Sequence, residues 1–238
     1  MLDNDYLANP TSEQRRRLLR ESLARAGREA DYENILQLLS PPPDLSRDLY
    51  PGTLRGLKIG IIGGGLAGLT AAYELRKLGA GVTIYDAQKN RVGGRVYTFY
   101  FDRSGRYYGE LGAARIPVSH ETTWHYIDLF RLETESLTAL RPNNFIYAHQ
   151  VRIRRDPGGQ NVTKYLYPYY DLTEEERNTP WDVLSNYALN TMLDQLTPEM
   201  RTEILKIQPE YSEQYAAITR LSSRQIFELL GLSQGAVE

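Results

Sequence analysis

The stretch Lys58–Gly79, KIGIIGGGLAGLTAAYELRKLG, decides the fold. It opens on a short aliphatic run of strand character and passes through a cluster of glycines. An alanine- and leucine-bearing segment follows, whose pattern predicts a helix from about Leu66 to Leu78. Glycines from Gly79 to Gly81 stop that helix, and VTIYDA, residues 82–87, reads as a second strand. A strand, a helix and a second strand in so short a span predict a βαβ unit.

Gly63, Gly65 and Gly68 form a G-x-G-x-x-G pattern placed between the strand and the helix, the context that gives the pattern meaning. Gly63 permits the tight turn, Gly65 lets the backbone approach a pyrophosphate, and Gly68 lets helix and strand pack closely. The amides of the helix start, around Leu66 and Ala67, then offer unpaired donors and a partial positive charge to phosphate. Asp86 ends the second strand roughly 20 residues past the glycines, where an acid accepts hydrogen bonds from ribose hydroxyls. Together these residues predict a dinucleotide cradle.

Around this unit the chain is ordinary in composition and uneven in pattern. Its 28 basic and 30 acidic residues leave a formal charge of −2, so no net field draws it to nucleic acid or to an anionic membrane. Cysteine is absent, which excludes disulfides and thiolate chemistry and fits a reducing compartment. The N-terminus lacks the apolar core of an export signal, and the longest uncharged run, Ile59–Tyr73, is short and glycine-rich for a membrane span. The expected location is cytoplasmic, with no membrane or nucleic-acid partner. His120 and His125, five apart, do not have the spacing of a helical zinc pair, and His149 stands alone, so no metal is expected.

Upstream, residues 11–39 read as one helix, with Leu18, Leu19, Leu23 and Ala24 near a 3.6-residue period and Ser12 and Glu13 at its start. The segment SPPPDLSRDLYPG then breaks the pattern. Downstream, helices are predicted over about 122–132, 181–196, 198–207 and 222–230, with strand or irregular structure near 145–154 and 165–170. The YLYPYY cluster, Tyr165–Tyr170, reads as packing rather than as a site wall. The sequon at Asn161 is a short pattern that arises by chance and carries no argument.

RVGGR, Arg91–Arg95, places two more glycines and two arginines soon after Asp86 and Ala87. It suggests a second backbone approach to the same ligand at Gly94, with Arg95 neutralising phosphate. With these segments the sequence resembles the flavin-containing amine oxidase superfamily, in which cradle, strand-end acid and R-x-G-G-R segment bind FAD. The acid there is usually glutamate; Asp86 is one methylene shorter.

GELGAARIP, Gly109–Pro117, narrows the resemblance to the L-amino-acid oxidases. That likeness implies that Gly112, Ala113 and Ala114 face the flavin and that Arg115 binds the substrate carboxylate as a bidentate pair. Ala114 stands where many relatives carry methionine.

The fold expected is α/β: a Rossmann-like FAD-binding βαβ unit with an N-terminal helical segment and a largely helical substrate-domain portion. The division expected is 1–50 as helical extension and proline-rich linker, 51–117 as FAD-binding portion and 118–238 as substrate-domain portion. The resemblance implies oxidation of an L-amino acid by oxygen to a 2-oxo acid, ammonia and hydrogen peroxide. Later parts of such an oxidase are not recognisable in the sequence, so a companion polypeptide is expected. The alternatives are an amino-acid 2-monooxygenase, a non-catalytic FAD-binding subunit and an NAD-dependent dehydrogenase. No catalytic base is identified; His120, His125 and Glu121 are candidates by type only.

Overall fold

A computed structural model describes residues 9–136, 144–156 and 158–238. The first eight residues of the N-terminus, read above for an export signal, lie outside the described residues. In chain order the helices and strands are α1 Ser12–Arg25, α2 Tyr32–Leu38, β1 Lys58–Ile62, α3 Leu66–Lys77, β2 Gly81–Tyr85, β3 Thr98–Tyr100, β4 Tyr108–Glu110 and α4 Glu121–Phe130. They continue with β5 Phe145–Ala148, β6 Val151–Arg154, α5 Gln160–Tyr165, α6 Glu174–Arg177, α7 Trp181–Asp194, α8 Pro198–Ile204, α9 Glu213–Thr219, α10 Ser223–Leu229 and α11 Gln234–Val237.

The chain forms two compact units, one of residues 40–132 and one of residues 9–39 with 133–238. The sequence reading placed its boundaries at 50 and 117 and kept the N-terminal helices apart. In the structure those helices group with the C-terminal half instead.

The first unit is built on β1–α3–β2. The two strands pair in parallel from Lys58 opposite Gly81 to Ile62 opposite Tyr85. The helix turns at Gly79, whose φ of 92° suits glycine, and Leu78 beside it is buried to 2% exposure. β3 and β4 form an antiparallel hairpin. α4 is amphipathic and buries Trp124 and Ile127. Tyr126 donates from its hydroxyl to Glu74 Oε1 at 3.0 Å, which fixes α4 to α3. Burial, and after it the Glu74 bond and charge, push the Tyr126 phenol up to about 12.

In the second unit the expected single N-terminal helix is two. Thr11, not Ser12, caps α1 in a box with Gln14, and the helix ends before Gly27, which adopts φ 65°. A short turn, Glu29–Asp31, leads into α2. Asp31 is 3% exposed and accepts a bidentate bond from Arg201 of α8, at 2.8 and 3.1 Å, and another from Arg28 at 2.7 Å. Burial alone would raise its pKa, yet the Arg201 and Arg28 bonds prevail and hold it below the usual carboxylate range.

β5 and β6 form a hairpin whose inner face joins α5 in a core of Ile153, Val162, Leu166, Tyr167 and Leu172. Residues 165–170 are the end of α5 and a short tight helical turn rather than a strand. The helical turn serves the core, because it buries Tyr167 and lets its hydroxyl donate to Thr179 O at 2.7 Å. Tyr169 stays half exposed and stacks on His149 at 5.1 Å. Asn161 donates its side-chain amide to Arg154 O at 2.9 Å, so that nitrogen serves the fold. None of the helices among the described residues is long and apolar enough to cross a membrane.

Candidate functional site

The turn between β1 and α3 shows three glycines with three different tasks. Gly63 takes φ 100°, a left-handed conformation, and a Cβ there would meet nothing within 4 Å, so its need is conformational. A Cβ at Gly68 would fall 2.0 Å from Gly63 O, so its need is packing of helix on turn. Gly65 has neither constraint. Its φ of −75° and ψ of 179° suit any residue, and a Cβ would meet only Gly94 Cα at 4.0 Å. The protein itself does not require glycine at 65, whereas a pyrophosphate approaching the backbone would.

α3 starts at Leu66 with no side-chain cap from Gly65. The first-turn amides, through Ala67 and Gly68, therefore face the same space with the helix dipole behind them. The residues present fit a diphosphate.

Asp86, one residue beyond β2, closes the other side. Its Oδ1 accepts the Gln88 amide at 2.6 Å and its Oδ2 accepts the Gly64 amide at 2.5 Å. These two bonds, from Gln88 and then Gly64, with the charge of Arg91, hold the exposed carboxyl below its ordinary range. Each oxygen keeps acceptor capacity, so the carboxylate is ionised, oriented and able to receive ribose hydroxyls. Gly64 was missed in the sequence reading. A Cβ there would lie 2.9 Å from Asp86 Oδ2, and the signal was the third glycine of the run beside a strand-end acid.

The RVGGR segment lies against the cradle. The Gly93 amide donates to Gly64 O at 2.8 Å, and Gly93 bridges Gly65. Gly93 and Gly94 have φ of 107° and 58°, and a Cβ on Gly94 would come 3.2 Å from Gly65 Cα. The two arginines differ in role. Arg91 turns back to donate to Gly94 O at 2.8 Å and stacks on Tyr97 at 4.8 Å. Arg95 is exposed.

The third segment joins through the backbone of the second. Leu111 donates to Tyr97 O at 2.8 Å and Ala113 to Arg95 O at 3.3 Å. Gly112 has φ 126°, and a Cβ there would collide with Arg95 O at 1.9 Å. Cradle, RVGGR and GAAR thus form one continuous surface within the unit of residues 40–132. Trp124 of α4 donates its indole N–H to Pro117 O at 3.0 Å and anchors the far end of that segment, a contact no sequence motif announces.

Ala87, Ala114 and Arg115 are exposed. No hydrogen bond or ion pair of the Arg115 side chain occurs among the described residues. Of the three candidate bases, His120 stands at the residue before α4 without a side-chain cap bond, His125 packs edge-on to Tyr126 at 4.9 Å, and Glu121 is buried in the first turn of α4. No cluster of histidine and carboxylate able to hold a metal occurs among the described residues.

A βαβ unit with a glycine cradle, an oriented acid and a second glycine segment folded against it has the geometry expected of a dinucleotide-binding protein. The sequence pattern of the family described as flavin containing amine oxidoreductase matches residues 66–238, and the chain belongs to that family, with FAD as its cofactor. The match begins at the first residue of α3, just past Gly63 and Gly65.

The chain is similar to L-amino-acid oxidases. It is 33% identical to that of Naja atra over 58% of this chain and 26% of the relative. It is 32% identical to that of Gloydius blomhoffii over 61% and 28%, and 33% identical to that of Pseudechis australis over 65% and 28%. The alignment thus spans about a quarter of the length of these curated relatives.

Proposed function

We propose that the chain forms the FAD-binding and first substrate-domain portion of an L-amino-acid oxidase, a Rossmann-like unit whose remaining strands come from further polypeptide. The observation that carries this reading is the convergence of three separate segments, at Gly65, Gly93–Gly94 and Gly112–Ala113, on one backbone-lined surface.

On this reading the α3 amides bind the diphosphate, Asp86 orients the ribose, and Arg95 neutralises phosphate charge. Gly112, Ala113 and Ala114 line the flavin ring, and Arg115 holds the substrate carboxylate so that Cα is presented in one orientation. A bound FAD would supply a two-electron acceptor for the amino acid and a route for those electrons and two protons to oxygen, giving hydrogen peroxide, while water would hydrolyse the imino acid to a 2-oxo acid and ammonia. An exposed arginine with no competing carboxylate among the described residues is poised for such a clamp.

The need for further polypeptide is supported by exposed apolar side chains beside the cradle. Ile62 is 95% exposed and Tyr85 and Val92 are each 62% exposed. Among the described residues β1 and β2 pair only with each other, whereas parallel strands are ordinarily covered on both faces.

The test is spectroscopic. The purified assembly is expected to carry a flavin absorption band that bleaches on anaerobic addition of L-amino acids and to release peroxide in air. A coloured protein that no amino acid bleaches would leave only FAD binding. An amide product in place of the 2-oxo acid would assign a monooxygenase. Denaturing mass analysis of the active species is expected to show more than the 27.2 kDa of this sequence.

A further inference from the structure

Arg115 stands on a short span that is tied at both ends. On one side the Ala113 amide donates to Arg95 O at 3.3 Å, and Gly112 is fitted against the same carbonyl. On the other side Pro117 O accepts two donors, the Trp124 indole N–H at 3.0 Å and the His120 amide at 3.1 Å. Between these ties Ala114, Arg115 and Ile116 make no backbone–backbone hydrogen bond among the described residues. The place of Arg115 is therefore set by the two ends of its span.

The ends lean on different parts of the unit. The Arg95 end continues the segment folded against Gly64 and Gly65. The Pro117 end leans on α4, where Trp124 is only 4% exposed and its ring has little freedom to move. α4 is in turn fixed to α3, the helix that starts at the cradle, by Tyr126 on Glu74 at 3.0 Å and by Tyr73 edge-on to Phe130 at 5.1 Å. Burial alone does not call for an indole at 124, since a phenylalanine or leucine would serve it. A buried N–H must instead find an acceptor, and this one reaches a backbone carbonyl seven residues away.

We propose that Trp124 is a positioning residue for the substrate carboxylate: its indole N–H holds Pro117 O and so keeps Arg115 in a fixed place relative to the cradle. The inference rests on the reading of Arg115 given above and deepens it, by naming a residue that acts only through that arginine. A carboxylate clamp binds ground state and transition state alike, so loosening it raises KM and leaves kcat near its value.

Two measurements on the full chain test it. In the FAD-loaded assembly Trp124→Phe should raise KM about tenfold for the L-amino acid that the parent oxidises fastest, with kcat and FAD content within about twofold. Benzothienylalanine at position 124, which keeps the indole shape and replaces the N–H by sulfur, should do the same. Ile127→Val, a core change on the same helix that spares the N–H, should leave KM unchanged. On an Arg115→Met background Trp124→Phe should add no further loss of kcat/KM, since both changes act through one group. The second measurement needs no FAD. Trypsin cleavage after Arg115 should quicken about tenfold in Trp124→Phe and not in Ile127→Val, while cleavage after the exposed Arg106, between β3 and β4, keeps its rate.

Unchanged KM in Trp124→Phe, an equal rise in Ile127→Val, additive losses with Arg115→Met, or unaltered cleavage after Arg115 would each overturn the assignment. A parent that carries no flavin or oxidises no amino acid would overturn the oxidase reading instead, and the trypsin comparison would still decide whether Trp124 holds the Arg115 span.

Discussion

At the residue scale the glycines of the cradle separate what the fold needs from what a ligand needs. Gly65→Ala is expected to leave the flavin-free protein within about 1 kcal/mol of its parent, since its dihedrals and surroundings accept a methyl group. The same change should cut FAD affinity at least about tenfold, read by flavin fluorescence titration, because the methyl occupies the phosphate approach. Gly68→Ala should fail on both counts, with a cost of about 2 kcal/mol or more in urea unfolding, because its methyl has no space against Gly63 O. If the two variants behave alike, the assignment of Gly65 to the ligand is wrong.

Asp86 carries a pH prediction. Its folded pKa is depressed, so the stability it contributes is present above its unfolded value and is lost as pH falls through the folded one. Asp86→Asn should therefore lower stability by a constant amount at pH 7 to 9 and flatten the profile below about pH 4, where the parent loses the same contribution.

At the element scale the junctions between helices and strands are set by single polar or strained residues. Arg201 joins α8 to the turn before α2 through Asp31, which is deeply buried. Arg201→Met leaves Arg28 as the remaining cation on that carboxylate and is expected to cost about 3 kcal/mol in urea unfolding, whereas adding Asp31→Asn should recover a large part. The β5–β6 hairpin turns on His149 and Gln150, with φ of 48° and 63°, a pair of left-handed residues without glycine. Gln150→Gly should raise stability by about 0.5–1 kcal/mol, while His149, stacked on Tyr169 and edge-on to Tyr170, is best retained. A loss of stability in Gln150→Gly would show that the glutamine side chain has a compensating contact.

At the scale of the whole molecule the exposed apolar residues around β1 and β2 define a separate expectation. Ile62→Ser should change the stability of the isolated chain by less than about 0.5 kcal/mol, because that side chain is 95% exposed, yet weaken copurification with the companion polypeptide proposed above. Unchanged copurification would place the companion elsewhere. Local pattern determined the strand, turn, helix and strand from Lys58 to Asp86 almost to the residue, because backbone dihedrals, strand alternation and helix periodicity are properties of neighbouring residues. Gly63, Gly65, Gly68 and Asp86 were legible for the same reason. The break at Gly27 was equally local but was overruled by the leucine period on either side of it.

Other features are not written in any short window. Trp124 holding Pro117, Gly112 fitted against the Arg95 carbonyl, Arg91 turned inward, and Asp31 clamped across 170 residues to Arg201 all arise from long-range contact. Local sequence determined the backbone turn that is proposed to take a phosphate. Only tertiary structure decided which side chains stand around it, since burial and hydrogen-bond partnership depend on residues far apart in the chain.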